Sequence, residues 1–109
     1  MNLDAIPFQA IDWNSLPPSI HAGEEGVATW RTLQLDTVRV RLVDYSPGYR
    51  ADHWCDRGHV IYVVSGYIDS EVEGGETRRI GAGQSYVVGT GCAPHRSTTA
   101  AGARLFIVD

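Results

Sequence analysis

The chain of 109 residues predicts an all-β sandwich or closed barrel of eight or nine strands, on three observations. Short β-branched and aromatic runs alternate with Gly, Pro, Asn and Asp along most of the length. No segment sustains a helical apolar period, and the one helical signal is a single turn near Ile11 to Leu16. No connection has room for the crossover helix that a parallel βαβ unit needs, so that architecture is disfavoured.

Taken in order, residues 1–27 read as an N-terminal extension. The stretch from Pro17-Pro18 to Gly26 is its loop-like lead-in to a barrel over residues 28–109. Residues 28–35 (ATWRTLQL) and 37–45 (TVRVRLVDY) are two strands flanking Asp36. In the second, Val38, Val40 and Leu42 alternate with Arg39 and Arg41, which reads as a half-buried strand with its apolar members inward. His59 to Val64 is a short β-branched run. Beyond Gly66, Ile68, Ser70 and Val72 alternate with Asp69, Glu71 and Glu73. Gly74-Gly75 supplies a hairpin turn, Thr77 to Ile80 returns, Gly81-Ala82-Gly83 breaks the chain, and Ser85 to Val88 and Arg104 to Val108 complete the set.

At this length a single domain buries about 65% of its unfolded surface, enough for a core without disulfide staples. A net charge of -4, with no run of basic residues, argues against a surface for nucleic acid. The expected partners are a small molecule and another copy of the chain. The first twenty residues carry Asp4 and Asp12 and no unbroken apolar stretch, so neither a secretory signal nor a membrane span is expected. Two cysteines in such a chain read as thiols or ligands, with the cytoplasm as the expected compartment.

The chemistry concentrates in His53-x-Cys55-x3-His59 and His95, which together hold three of the four histidines and one of the two cysteines. Imidazole and thiolate are the preferred ligands of zinc and several first-row metals. If Asp52 to Cys55 is extended, His53 and Cys55 share a face. Asp56-Arg57-Gly58 then reads as a tight turn, with Gly58 free to take positive φ, that returns His59 toward them. The blander reading of each is a packed core histidine or, for Cys55, a small buried hydrophobe or nearby thiol. Asp52 reads as a surface or turn residue able to orient an imidazole. Trp54 is expected to face outward, Cys92 to be a loop thiol, Arg96 to form a surface ion pair, and His21 to be solvated. Asp52, Glu71 and Tyr86 are the acid and base candidates, and Val40, Leu42, Ile61, Val63 and Phe106 the expected apolar walls.

These residues resemble the cupins. That family's first motif runs Gly, five residues, His-x-His, three or four residues, Glu, six residues, Gly; here Gly48, His53, Cys55, His59 and Gly66 take those places, with four residues after Gly48. The second motif is matched by Gly83, Gly89-Thr90-Gly91 and His95, one residue later than usual. The runs SPGYRADHWCDRGHV and SYVVGTGCAPHRS, with the terminal LFIVD, resemble the small cupins labelled for an Asp-His-Cys-Trp motif, here Asp52, His53, Trp54 and Cys55. The resemblance implies a double-stranded β-helix, or jelly-roll barrel, and a homodimer in which the N-terminal extension packs on or swaps with the partner barrel, for which Phe8, Ile11, Trp13 and Leu16 are suited. It also implies metal ligation by His53, Cys55, His59 and His95. Cys55 stands where the second histidine usually is and His59 where the glutamate usually is, which shifts the expected divalent metal toward zinc, iron, nickel or copper. A closed four-ligand shell would be structural, whereas an open position would admit a small chelating substrate, as in a dioxygenase- or isomerase-like enzyme. The alternative is a non-catalytic sensor or binding module.

Overall fold

The eight strands of the computed structural model, which describes residues 2–109, are all paired antiparallel. They are β1 (Ser19–Ala22), β2 (Val27–Leu35), β3 (Val38–Tyr45), β4 (His59–Val72), β5 (Thr77–Gly81), β6 (Ser85–Val88), β7 (His95–Thr98) and β8 (Ala103–Val108). Strands β1, β2, β3, β8 and β4 follow one another side by side. The first half of β4 lies between β8 and β6, and its second half between β5 and β7. One strand thus belongs to two sheets that face each other across the core.

The passage of β4 from one sheet to the other is marked by a register shift between Val63 and Ser65. Gly66 sits just beyond it at a φ of 74°, and a side chain there would stand 2.2 Å from the Gly102 carbonyl oxygen. Both the backbone angle and the close approach require glycine. The sequence reads Gly66 as a break between two runs; the glycine bends the strand without ending it. Two further strands are absent from the sequence-based expectation. β1 is exposed throughout and follows Pro17-Pro18, and β7 (HRST) buries His95 and Ser97 instead of apolar residues.

The core consists of Ala28, Val43, Ile61, Val63, Ile68, Ile80, Ala103, Leu105 and Ile107. In β8 and in β3 from Arg41 onward the odd-numbered residues point inward, Val43 pairing with Leu105 and Arg41 with Ile107, while Val38 at the start of β3 is buried as well. This reverses the expected parity, so Val40, Leu42 and Phe106 lie on the other face of the sheet while Arg41 is 6% exposed. The cause is the extension. Its short 3-10 turn, Trp13–Ser15, is capped by the Asp12 carboxylate, which accepts from the Asn14 amide at 3.1 Å. Trp13 packs edge-on against Phe106, and Arg31 donates to the Leu16 carbonyl. The extension therefore gives the outer face of β3 and β8 apolar company. Among the described residues no helix is long and apolar enough to cross a membrane.

Candidate metal centre

Cys55 and His95 face each other across a two-residue antiparallel bridge. The Cys55 amide donates to the His95 carbonyl at 2.7 Å and the His95 amide donates back at 2.9 Å. Directly paired residues project their side chains to the same side. His59 arrives from the other sheet, at the first position of β4, in register with Val88 of β6. The outcome is that Cys55 Sγ and one ring nitrogen each of His59 and His95 lie within 4.8 Å of one another. This differs from the expected hairpin: Cys55 pairs with β7, and residues 56–58 form an irregular link with no tight turn. Gly58 is not among the positive-φ residues. Its smallness serves a close approach, since a Cβ there would meet the Thr90 nitrogen at 2.4 Å, and its amide donates to Thr90 Oγ1 at 2.9 Å.

Hydrogen bonding fixes which atoms are available. His95 Nδ1 donates to the Ala93 carbonyl at 2.7 Å, so its lone pair is on Nε2. That nitrogen lies at hydrogen-bond distance, 2.8 Å, from His59 Nε2. In the absence of an ion, His59 must place its proton on Nε2 to bond His95, and its buried Nδ1 is left with no partner. A cation on the two Nε2 atoms would return that proton to Nδ1, which faces Asp109 Oδ2 at 3.6 Å. A carboxylate behind a ligating imidazole is a recurrent outer-shell arrangement. The orphaned Nδ1 and the soft donor set both fit a transition-metal cation.

Burial pushes the His59 imidazole pKa down to about 4, assisted by the neighbouring His95, so the ring is neutral at pH 7. Burial likewise pushes the Tyr86 phenol up to about 12. Tyr86 keeps its proton, and its hydroxyl lies 3.3 Å from His59 Nε2.

Asp109 was not singled out from the sequence, yet it organises one wall of the site. Its side chain is fully buried and accepts a forked pair of bonds from Arg39 at 2.9 and 3.0 Å and one from Arg41 Nη2 at 3.0 Å. Arg57 Nε stands at 3.5 Å. Burial opposes ionisation of Asp109, but the Arg39 hydrogen bonds and the three guanidinium charges outweigh it and hold the carboxyl below its usual range. A sequence signal for this existed. Asp109 shares parity with Leu105 and Ile107, and its ladder partner is Arg39.

The remaining candidates are distributed around the cluster. His53 is set apart from the three: its side chain is 75% exposed and its Nδ1 donates to Asp52 Oδ1 at 2.6 Å. The segment bends at Asp52 and His53, so the period-two rule that would align His53 with Cys55 does not apply. His53 nonetheless lines the same cavity, as does Trp54, whose expected outward orientation is not found. Arg96 lies over the Trp54 ring at 4.4 Å and pairs with Glu71 at 3.2 Å. Cys92 is exposed, and His21 is stacked on Trp30 at 3.8 Å. The cavity has a volume of about 420 Å³, and its lining includes Cys55, His59, His95, Tyr86 and Arg41.

No protein-family model matches the chain, and no curated protein matches it. Solved structures do. The polyketide cyclase RemF from Streptomyces resistomycificus superposes with a TM-score of 0.77 at 19% identity, over 94% of this chain and 78% of that one. A predicted oxalate decarboxylase from Thermotoga maritima gives 0.76 at 12% identity, over 92% and 96%. A cupin-superfamily sugar phosphate isomerase from Silicibacter pomeroyi gives 0.71 at 17%, over 92% and 74%. The fold is that of a small cupin, a jelly-roll barrel.

Proposed function

We propose, from the premise of a cupin fold carrying three soft donors at one point, that this protein holds a divalent transition metal through Cys55, His59 and His95 and acts on a small chelating molecule. The observation that carries this is the convergence of the Cys55 thiol with the two imidazoles within 4.8 Å. Three protein ligands and a fourth position facing a cavity is the pattern of a catalytic metal site. His53 stands at the cavity wall and is the candidate for that fourth position when no small molecule fills it. Thiolate and imidazole favour zinc, iron, nickel or copper over manganese or magnesium.

When bound, the metal supplies Lewis acidity toward a chelated oxygen or nitrogen. The chain supplies the rest. Asp109 orients the His59 ring, the Ala93 carbonyl fixes the His95 tautomer, and Ile61 and Ile107 line an apolar part of the cavity. Tyr86, protonated at neutral pH, is the one acid among the sequence candidates that touches the cluster. It is placed to donate a hydrogen bond to a bound substrate in a dioxygenase- or isomerase-like reaction. Asp52 is engaged by His53 and Glu71 by Arg96, which supports the second reading, a binding or sensor module without turnover.

Elemental analysis of protein purified without added metal tests the proposal, together with the cobalt-substituted spectrum. Retained metal and a thiolate charge-transfer band that Cys55→Ala abolishes are expected, as is an azide-dependent spectral change at the open position. Metal-free protein with no such band overturns it.

A second copy of the chain is the proposed partner. Val60, Tyr62, Val64 and Val87 expose apolar side chains on the outer face of β4 and β6, and Leu3 and Phe8 of the extension are equally uncovered. An apolar arm and an apolar face on one chain suit reciprocal covering by a twofold pair. Free Cys55 and Cys92 suit a reducing compartment, and the cytoplasm is the proposed location.

A further inference from the structure

Around the Asp109 carboxylate stand three guanidinium groups, those of Arg39, Arg41 and Arg57, all within 3.5 Å. Four arginines, Arg39, Arg41, Arg57 and Arg96, line the cavity against two carboxylates, Asp56 and Asp109. The chain as a whole carries a net charge of -4, so this excess runs against the protein's own balance. Buried charges are normally paired, because a charge removed from water without a counter-charge is costly.

Arg41 makes the imbalance specific. It is 6% exposed, it lies against the Trp30 ring with its guanidinium carbon 4.3 Å from the centroid, and it lines the cavity that also holds Cys55, His59 and His95. Its one side-chain hydrogen bond is from Nη2 to Asp109, and its buried Nε has no partner. A guanidinium offers a planar fork suited to a carboxylate. The other walls are flat. Tyr45 and Tyr49 are stacked with ring centroids 4.1 Å apart, and with Trp54 they line the same space. Its volume of about 420 Å³ admits a small molecule and no polymer.

We propose that the cavity selects a small organic carboxylate with a flat, apolar body, its carboxylate seated against Arg41 and Arg57 and a second donor directed at the Cys55, His59 and His95 cluster. This inference rests on the metal-site reading above for the second donor only; the arginines and aromatic walls are independent of it. Aromatic rings hold the body, and the unmatched positive charge sets the requirement for an anion.

Salicylate and its neutral isostere salicylamide test this by titration calorimetry on the zinc-loaded and the metal-free protein, with elemental analysis alongside. Salicylate is expected to bind the zinc-loaded protein at least about tenfold tighter than salicylamide, the scale of one hydrogen-bonded charge pair. Arg41→Gln is expected to abolish that preference, with metal content measured on the same sample. Arg57→Gln, at the exposed mouth, is expected to reduce the preference without risk to folding. In the metal-free protein the preference is expected to persist at weaker affinity. Zinc-loaded protein that binds the two probes equally overturns the carboxylate proposal and leaves the metal site standing. A preference that survives in protein unable to retain any metal overturns the metal site and leaves the carboxylate proposal standing. A preference unaltered by both arginine variants overturns the assignment to these residues.

Discussion

Cys55 and His95 are locked to each other by two reciprocal backbone hydrogen bonds of 2.7 and 2.9 Å, so a thiol and an imidazole forty residues apart in the chain occupy one rung of one ladder. Neither side chain depends on loop flexibility to meet the other. The donor pair is built before any ion arrives, which lowers the ordering cost of ligation.

Replacing Cys55 by Ser should therefore remove a ligand without moving the backbone. Metal affinity should fall by more than the roughly 10–100-fold that loss of an outer-shell partner causes, and the cobalt–thiolate band should vanish. Competition with a chromophoric chelator measures the first, and absorption spectroscopy the second.

Asp109→Asn should act in two ways. Metal affinity should drop by about 10–100-fold because His59 loses the carboxylate that orients it. Stability should fall by about 3–5 kcal/mol as Arg39 and Arg41 become uncompensated inside the barrel. Urea melts of the metal-free variant isolate the second effect, and a variant as stable as the wild type would refute the role given to the arginine cluster.

The metal-free protein should weaken in mild acid through His59. Above about pH 6.5 both the folded and the unfolded imidazole are neutral and the group contributes nothing. As pH falls from there toward 4, the unfolded chain takes up a proton that the folded chain refuses, because the folded pKa is down at about 4. The loss should total on the order of 3 kcal/mol across this window and level off below it. Asp109 keeps its contribution there, since its depressed carboxyl protonates only in stronger acid. Denaturant midpoints at pH 7.5 and 4.5 should differ more for wild type than for His59→Gln.

Leu105 is fully buried in β8 between β3 and β4. Leu105→Ala should lower stability by about 2–5 kcal/mol, the range for an unfilled leucine cavity. Thermal or urea unfolding followed by far-ultraviolet circular dichroism reads this directly.

Light scattering on the eluting peak should give twice the chain mass of 11.9 kDa. Val87→Glu, on the exposed face of β6, should return the single-chain mass without altering metal content. A wild-type protein at the single-chain mass at micromolar concentration would refute the proposed pair.

The strands and their turns were legible because valine, isoleucine and threonine runs ended at glycine. Residue type and spacing pointed to Cys55, His59 and His95, which the fold brings together, and equally to His53, which it sets apart. The route that brings them together was not: residues 52–58 bend where an extended reading was natural, and Cys55 found its partner in β7, a strand with no apolar residue to advertise it. The parity of β3 also escaped, since alternation of Val38, Val40 and Leu42 with Arg39 and Arg41 tells that a strand has two faces and leaves open which is inner. That choice was made by Trp13 covering one face and Asp109 neutralising part of the other. Both lie far from β3 in sequence.

Because β4 is hydrogen-bonded to four other strands and is common to both sheets, the two halves of the fold cannot part without breaking that one strand. Unfolding should be all-or-none, with amide protons throughout β4 exchanging only through global opening. His59 is the first residue of that strand, so whatever is gripped there is felt as a single rise in melting temperature for the whole domain.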